Sequence, residues 1–250
     1  MLNYLKYYLQ AETKNNSRSA FVKTFLKEVW EDNRYYYAFD DIKGLAFWLE
    51  RFNKKIPWQG ADVPVNDIYH HLKVADEIGQ RLFYFARTFE HKNIVEIGGG
   101  LNGAWMLKST TNTHLHIIEP HQQWAAMVKN YINNQDWQTT VTSSATFDDP
   151  VNIKTILPSI DVVILDLKVQ YKDTVATFVE VLTYLEEDSV IIITNKHIEN
   201  TGIWEMAKSH LKTKLTLDFH QIGFVFFKSK QSEVEHLQLI HNSLKPWAIF

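Results

Sequence analysis

From residue 93 onward, short apolar runs alternate with stretches whose apolar positions recur every three or four residues, a pattern that predicts strands separated by helices. Strands are expected over 94–97, 114–119, 139–142, 162–166, 190–194, 215–219 and 224–228, with helices over 104–109, 123–133, 174–184 and 203–210. Such alternation is the signature of an α/β fold with a parallel sheet. Only His220-Gln221-Ile222-Gly223 joins the last two strands, which is too short for a crossover helix, so they must pair as an antiparallel hairpin. The expected architecture is a seven-stranded sheet, five strands parallel and two closing it antiparallel.

The first ninety residues read differently. Phe21, Val22, Phe25, Leu26 and Val29 form one helical stripe, and Ile42, Leu45, Ala46 and Leu49 form another. Leu2, Leu5 and Leu9 predict a short amphipathic helix at the start, set off by a polar break over 13–19. It lacks the long apolar core and small-residue cleavage site of a secretion signal. The turn formers of 56–64 predict a loop, a lid or linker, and a further helix is expected over 66–89. This divides the chain into a helical region, 1–90, and an α/β domain, 91–250.

Composition narrows the function classes. A chain of 250 residues that is 45% hydrophobic can bury a large core. A formal net charge of -3 gives none of the basic surface that binds nucleic acid non-specifically. Cysteine is absent, which removes disulfides, thiolate catalysis and cysteine metal sites and fits a cytoplasmic protein. No run approaches the roughly 18 apolar residues of a spanning helix, so no membrane partner is expected. The oligomeric state is not legible.

The densest chemical signal is Ile94-Val95-Glu96-Ile97-Gly98-Gly99-Gly100-Leu101-Asn102-Gly103. Gly98, Gly100 and Gly103 fit a dinucleotide fingerprint, in which glycines bring the backbone against a pyrophosphate. Glu96 argues against that ligand. A carboxylate there repels a pyrophosphate but suits the ammonium of an amino-acid-like group, directly or through water. The pattern leans toward S-adenosylmethionine, which has a nucleoside and an amino-acid tail but no phosphate. A glycine turn that merely packs a strand on a helix would look the same.

Ligands of such sheets lie beyond the C-terminal strand ends, near the point where strand order reverses. Glu119, 23 residues after Glu96, ends the second strand where an acid would reach ribose hydroxyls, and Pro120 follows it. Ala145-Thr146-Phe147, after the third strand, are placed to cover an adenine. Asp166 and Lys168 end the fourth strand, with Tyr171 beyond, and Thr194-Asn195-Lys196-His197 end the fifth. Methyl transfer needs alignment, plus a base where the acceptor carries a proton. His197 has the pKa range for that base, Asp166 orients it or the acceptor, and Lys168 steadies an oxyanion. His197 as a helix cap and Lys168 as a solvated cation are equally open readings. His114 and His116 share a strand face and His70-His71 point apart on a helix, and none of the four is expected to bind metal.

Taken together, the segments 96–103, Ile118-Glu119, Ile164-Leu165-Asp166, 194–197 before Trp204, and 217–227 resemble the class I S-adenosylmethionine-dependent methyltransferases, closest to a bacterial O-methyltransferase-like branch. Tyr4-Leu5-Lys6-Tyr7, Ser19-Ala20-Phe21-Val22, 34–39 and 79–83 extend the likeness over nearly the whole chain. The resemblance implies a Rossmann-like sheet in the family order, with an N-terminal helical extension that shapes the acceptor pocket. It also implies S-adenosylmethionine across Glu96, Gly98, Gly99, Gly100, Glu119 and Asp166, and O- or N-methylation of a small molecule. Metal-dependent members carry paired aspartates after the fourth strand and an Asp-Asn pair after the fifth, whereas this chain has Asp166-Leu167-Lys168 and Thr194-Asn195. Half the charge that would hold a divalent cation is missing, so the expected site is metal-independent. Asn102 stands where many members have glycine. The alternatives are a weakly active or inactive binding module on the same fold, and an aminopropyltransferase, which shares the triple glycine.

Overall fold

The computed structural model describes residues 2–13, 19–145, 159–169, 174–198, 202–227, 234–241 and 244. At the N-terminus are helices α1 (Leu2–Gln10), α2 (Ala20–Phe25, continued by a wide π-turn to Trp30) and α3 (Ala38–Glu50). Strands β1 (Lys55–Trp58) and β2 (Ala61–Pro64) follow, then α4 (Val65–Leu72) and α5 (Asp76–Phe89). The sheet and its helices comprise β3 (Asn93–Ile97), α6 (Leu101–Leu107), β4 (Thr113–Ile118), α7 (Gln122–Asn133), β5 (Thr139–Ser144) and β6 (Val162–Asp166). They continue through α8 (Thr174–Tyr184), β7 (Val190–Thr194), α9 (Ile203–Ser209), β8 (Leu215–Asp218), β9 (Ile222–Phe226) and β10 (Glu235–Gln238).

The main sheet runs β10-β8-β9-β7-β6-β3-β4-β5. Strands β3 to β7 are mutually parallel, and β9 lies antiparallel between β7 and β8, the hairpin that the short connection requires. The first five strand positions and α8 match their sequence expectations to within a residue or two. Side chains of each strand alternate between two buried layers. Ile94, Ile117, Ile164, Ile192 and Phe224 face α2 to α7, while Val95, Ile118, Val163, Ile191 and Val225 face α8 and α9. Two covered faces explain why β6 and β7 read as unbroken apolar runs.

Three expectations change. The segment 56–64 is a β-hairpin rather than a loop: Gln59 at φ 50° and Gly60 at φ 85° form the two-residue mirror-image turn whose twist suits paired strands. The single helix over 66–89 is two helices. Lys73 and Ala75 are extended, with ψ of 136° and 139°, and Asp76 and Glu77 begin α5 where acids complement a helix N-terminus. An eighth strand, β10, adds to the expected seven and lies parallel to β8.

β10 is fastened to the start of the chain. Glu12 N–H donates to Gln238 O at 2.7 Å and Ile240 N–H to Glu12 O at 2.9 Å. The buried Tyr7 hydroxyl lies 2.7 Å from Asp218 O and 2.6 Å from Leu239 O, sharing its proton between two carbonyls. Tyr7→Phe takes the hydroxyl donor from Leu239 O while Asp218 O keeps the Leu239 N–H at 2.7 Å, and urea denaturation should register a loss of about 1 kcal/mol. Amide exchange in β10 should accelerate before that in β3; equal stability of the two proteins would refute the fastening.

Candidate functional site

Strand order reverses between β3 and β6: the chain builds outward from β3 through β4 to β5, then returns to β6 and proceeds the other way. The glycine turn sits at that reversal, at the C-terminal ends of the strands. Glu96, fully buried near the end of β3, points into it. Oε1 accepts from Gly100 N at 3.0 Å, Asn102 N at 3.4 Å and Asn102 Nδ2 at 3.2 Å, and Oε2 from Gly103 N at 2.6 Å. The three backbone donors are the N–H groups at the start of α6, which have no partner within the helix, so Glu96 braces the turn as a buried cap. Gly103 is required here: a Cβ would lie 2.5 Å from Leu115 Cδ1 and 2.9 Å from Glu96 Oε2. Burial pushes the Glu96 pKa up to about 7; the Gly103 and Asn102 donors oppose this and the Asp166 carboxyl adds to it.

Asn102, also fully buried, carries the bracing across the reversal point. Its Nδ2 group also donates to Asp166 Oδ2 at 3.2 Å, so one amide joins carboxyl groups from β3 and β6. Asp166 Oδ1 accepts from Lys168 N at 3.0 Å and from Asn195 Nδ2 at 2.7 Å. Glu96, Asn102, Asp166 and Asn195 therefore form one network over the ends of β3, β6 and β7. Asn102 Oδ1 and Thr194 Oγ1 are buried within it with no protein partner among the described residues. Asn195 was not singled out from sequence, and Asn102 only as a departure from glycine; no local pattern announces a partner 64 residues away.

Glu119 directly follows β4 and is fully buried beneath the 56–64 segment, the lid or linker of the sequence reading, whose hydrogen-bonding partners the sequence did not reveal. Its Oε1 accepts from His121 N at 2.9 Å and His121 Nδ1 at 2.6 Å. The other ring nitrogen, Nε2, accepts from Gln59 N at 3.0 Å, and the imidazole stacks on Trp58 at 4.0 Å. The β1–β2 hairpin thus closes over Glu119 through Trp58 and His121. Gly99 O accepts from Trp124 Nε1 at 2.8 Å, and Trp124 meets Trp58 edge-on at 6.1 Å. Pro120 and Ala145 are exposed beside these strand ends. Thr146, Phe147 and Tyr171 lie outside the described residues.

His197 lies in a short 3₁₀ turn after β7 and is exposed. Burial of part of its ring, with Lys168 and Lys196 nearby, lowers its pKa. Among the described residues, Asp166 takes its bonds from Asn102, Lys168 and Asn195, and not from His197. Lys168 Nζ donates to Lys73 O at 2.8 Å. His116 is buried between β4 and β5, its nitrogens 2.8 Å from Thr142 Oγ1 and 2.9 Å from Ser144 Oγ, and burial lowers its pKa to about 4. Among the described residues no group of three or more His, Asp or Glu side chains is placed to hold a metal ion.

Two outcomes follow from this geometry. Because the folded-state pKa of Glu96 is raised above its ordinary 4.5, its contribution to stability is complete below that value and is lost as pH rises through about 7. The full swing is about 3 kcal/mol. Urea midpoints from pH 4 to 8 should fall across that window in the wild type and flatten in Glu96→Gln; parallel curves would assign the slope elsewhere. Trp58→Ala removes the stack that holds the cover. Exchange of the Gln59 and His121 amides should accelerate by at least about tenfold with β3 and β4 unchanged, and unaltered protection would show the hairpin held by other contacts.

No protein-family model matches the sequence, and no curated protein matches it. Solved structures do match in fold. An O-methyltransferase from Bacillus cereus in complex with S-adenosylhomocysteine is 16% identical, with 82% of this chain and 97% of that one covered and a TM-score of 0.52. The S-adenosylhomocysteine-bound methyltransferase PaMTH1 of Podospora anserina is 12% identical over 85% and 97%, with a TM-score of 0.51. The O-methyltransferase TomG of Streptomyces achromogenes, in complex with S-adenosylmethionine, is 14% identical over 83% and 96%, with a TM-score of 0.50. The chain has the Rossmann-like fold of these methyltransferases.

Proposed function

We propose that the protein is a class I S-adenosylmethionine-dependent methyltransferase that methylates an oxygen or nitrogen of a small molecule without a metal ion. The observation that carries this reading is the placement of the Glu96–Asn102–Asp166 network at the reversal of strand order, beside the buried acid Glu119 on the neighbouring strand. Proteins of this fold that are solved with S-adenosylmethionine or S-adenosylhomocysteine add support.

The donor set fits the cofactor. Asn102 Oδ1 is a buried acceptor without a protein donor among the described residues, and with Asp166 it suits an ammonium group. Glu119 suits a pair of hydroxyls, which a carboxylate can accept together. Carboxyl groups at both ends of the turn disfavour a phosphate. S-adenosylmethionine, when bound, supplies an electrophilic methyl group on a positively charged sulfur. The chain supplies the rest. The Trp58 hairpin keeps water from Glu119, so that polar contacts there act at low dielectric. Asp166 holds Asn195, and thereby the turn that carries His197. His197, with its lowered pKa, is unprotonated at neutral pH and can take a proton from the acceptor at a ring nitrogen. Lys168 steadies the oxygen anion left behind. Asp166 is the single acid in the Asp166-Leu167-Lys168 and Thr194-Asn195 segments, and the ammonium beside it opposes a divalent cation, which supports the metal-free reading.

Titration calorimetry with S-adenosylhomocysteine tests the proposal directly, with a saturable binding curve expected; no heat at millimolar ligand would overturn it. Glu119→Ala should weaken binding by about 1.5–3 kcal/mol through loss of charge-assisted hydrogen bonds. An unchanged Kd would place Glu119 outside the site.

A further inference from the structure

Pro120 and His121 follow Glu119 directly, and the chain turns there to begin α7, with His121 the residue before its first turn. The turn folds the His121 ring back onto the acid two residues earlier and under the β1–β2 hairpin. Nδ1 lies 2.6 Å from Glu119 Oε1, and Nε2 lies 3.0 Å from Gln59 N. A backbone N–H can only donate, so Nε2 accepts and carries no proton. The ring proton therefore sits on Nδ1 and is donated to the carboxyl group.

Oε1 also accepts from His121 N at 2.9 Å, so one residue supplies two donors to one carboxyl oxygen. A carboxylate oxygen has two lone pairs, and both of those on Oε1 are taken. Glu119 has no exposed surface, and Trp58, itself 6% exposed, stacks on the imidazole with the planes 26° apart. The two hydroxyls of a ribose are accepted together when each meets one carboxyl oxygen. For that pair to reach Glu119, Nδ1 must release Oε1 and the ring must move off the acid.

We propose that His121 is a built-in competitor for the ribose-binding carboxylate, its imidazole holding Oε1 until the hydroxyl pair of a nucleoside displaces it. The exchange is matched at the acid, where one N–H donor leaves and one O–H donor arrives. Its cost falls on the contacts of the ring with Gln59 N and Trp58, so the grip of the hairpin on His121 sets how tightly a nucleoside binds. That the nucleoside belongs to a methyl donor rests on the methyltransferase reading, whereas the competition at Glu119 requires only a ribose.

The test is calorimetry on the wild type and His121→Phe with S-adenosylhomocysteine, adenosine and dideoxyadenosine, which lacks both ribose hydroxyls. Phenylalanine keeps a flat ring for Trp58 and the backbone N–H to Oε1 but has no ring donor. S-adenosylhomocysteine and adenosine should bind the variant about fivefold or more tightly than the wild type, and dideoxyadenosine should bind the two proteins alike. Equal or weaker binding of both hydroxyl-bearing ligands to the variant makes His121 a support of the site, and an equal gain for dideoxyadenosine makes it a steric plug. Either result overturns the competition. The ring-nitrogen resonances of His121 in the wild type give a second readout that needs no variant. Nδ1 should read as protonated and Nε2 as bare, and both should shift on saturation with adenosine; a ring unmoved at saturation overturns the competition as well. Tighter adenosine binding with no response to S-adenosylhomocysteine keeps the competition and removes the methyltransferase reading. Binding of S-adenosylhomocysteine with no gain in the variant for either hydroxyl-bearing ligand does the reverse, and silence of every ligand on both proteins overturns both.

Discussion

A single buried carboxyl group, that of Glu96, holds the turn on which the rest of the site depends. Four hydrogen bonds from the turn's own N–H groups and the Asn102 amide fix the path of the backbone between β3 and α6. A group so deeply buried is tolerable only when its oxygens are fully engaged. The turn therefore has little freedom: shifting one glycine amide would leave a buried acid under-bonded. Asn102 transmits that rigidity to Asp166, and Asp166 to Asn195, so that three strand ends are registered against one another by side chains as well as by the sheet.

The same network makes the two halves of the site different in kind. Around Glu96 and Asp166 every position is set by buried hydrogen bonds. Around Glu119 the cover is a two-stranded ribbon, and two-stranded ribbons are marginal structures unless they pack on something else. Trp58, lodged between His121 and Trp124, supplies that packing. A braced turn and a separately packed cover are what a site needs if it must admit a ligand and then exclude water.

The sheet was legible because parallel strands buried on both faces leave long apolar runs, and β6 and β7 are the clearest cases. The hairpin of β8 and β9 was legible from loop length alone. The break between α4 and α5 was not, since Lys73-Val74-Ala75 contains neither glycine nor proline, and only the acids at Asp76 and Glu77 hint at a new helix start. β10 escaped because an edge strand needs little apolar surface, and Leu237 is its single large apolar side chain. Within the site, residue types were readable and their partners were not. Glu96, Glu119 and Asp166 stand out as acids at strand ends, but what each carboxyl touches is decided by backbone amides and by residues as distant in sequence as Trp58 and His121. The lid reading of 56–64 recognised turn chemistry correctly but could not see that the two arms pair.

The strand β10 and helix α1 are separated by more than two hundred residues of chain, yet each completes the other at the edge of the sheet. Contacts between such distant segments close the largest loops and so form late in folding. This edge, where Tyr4 and Tyr7 meet His220, is accordingly the natural first point of fraying in the native state. The site and this edge then belong to different cooperative units: a turn locked with the central strands, and a rim that can open and reclose many times during the lifetime of the folded core.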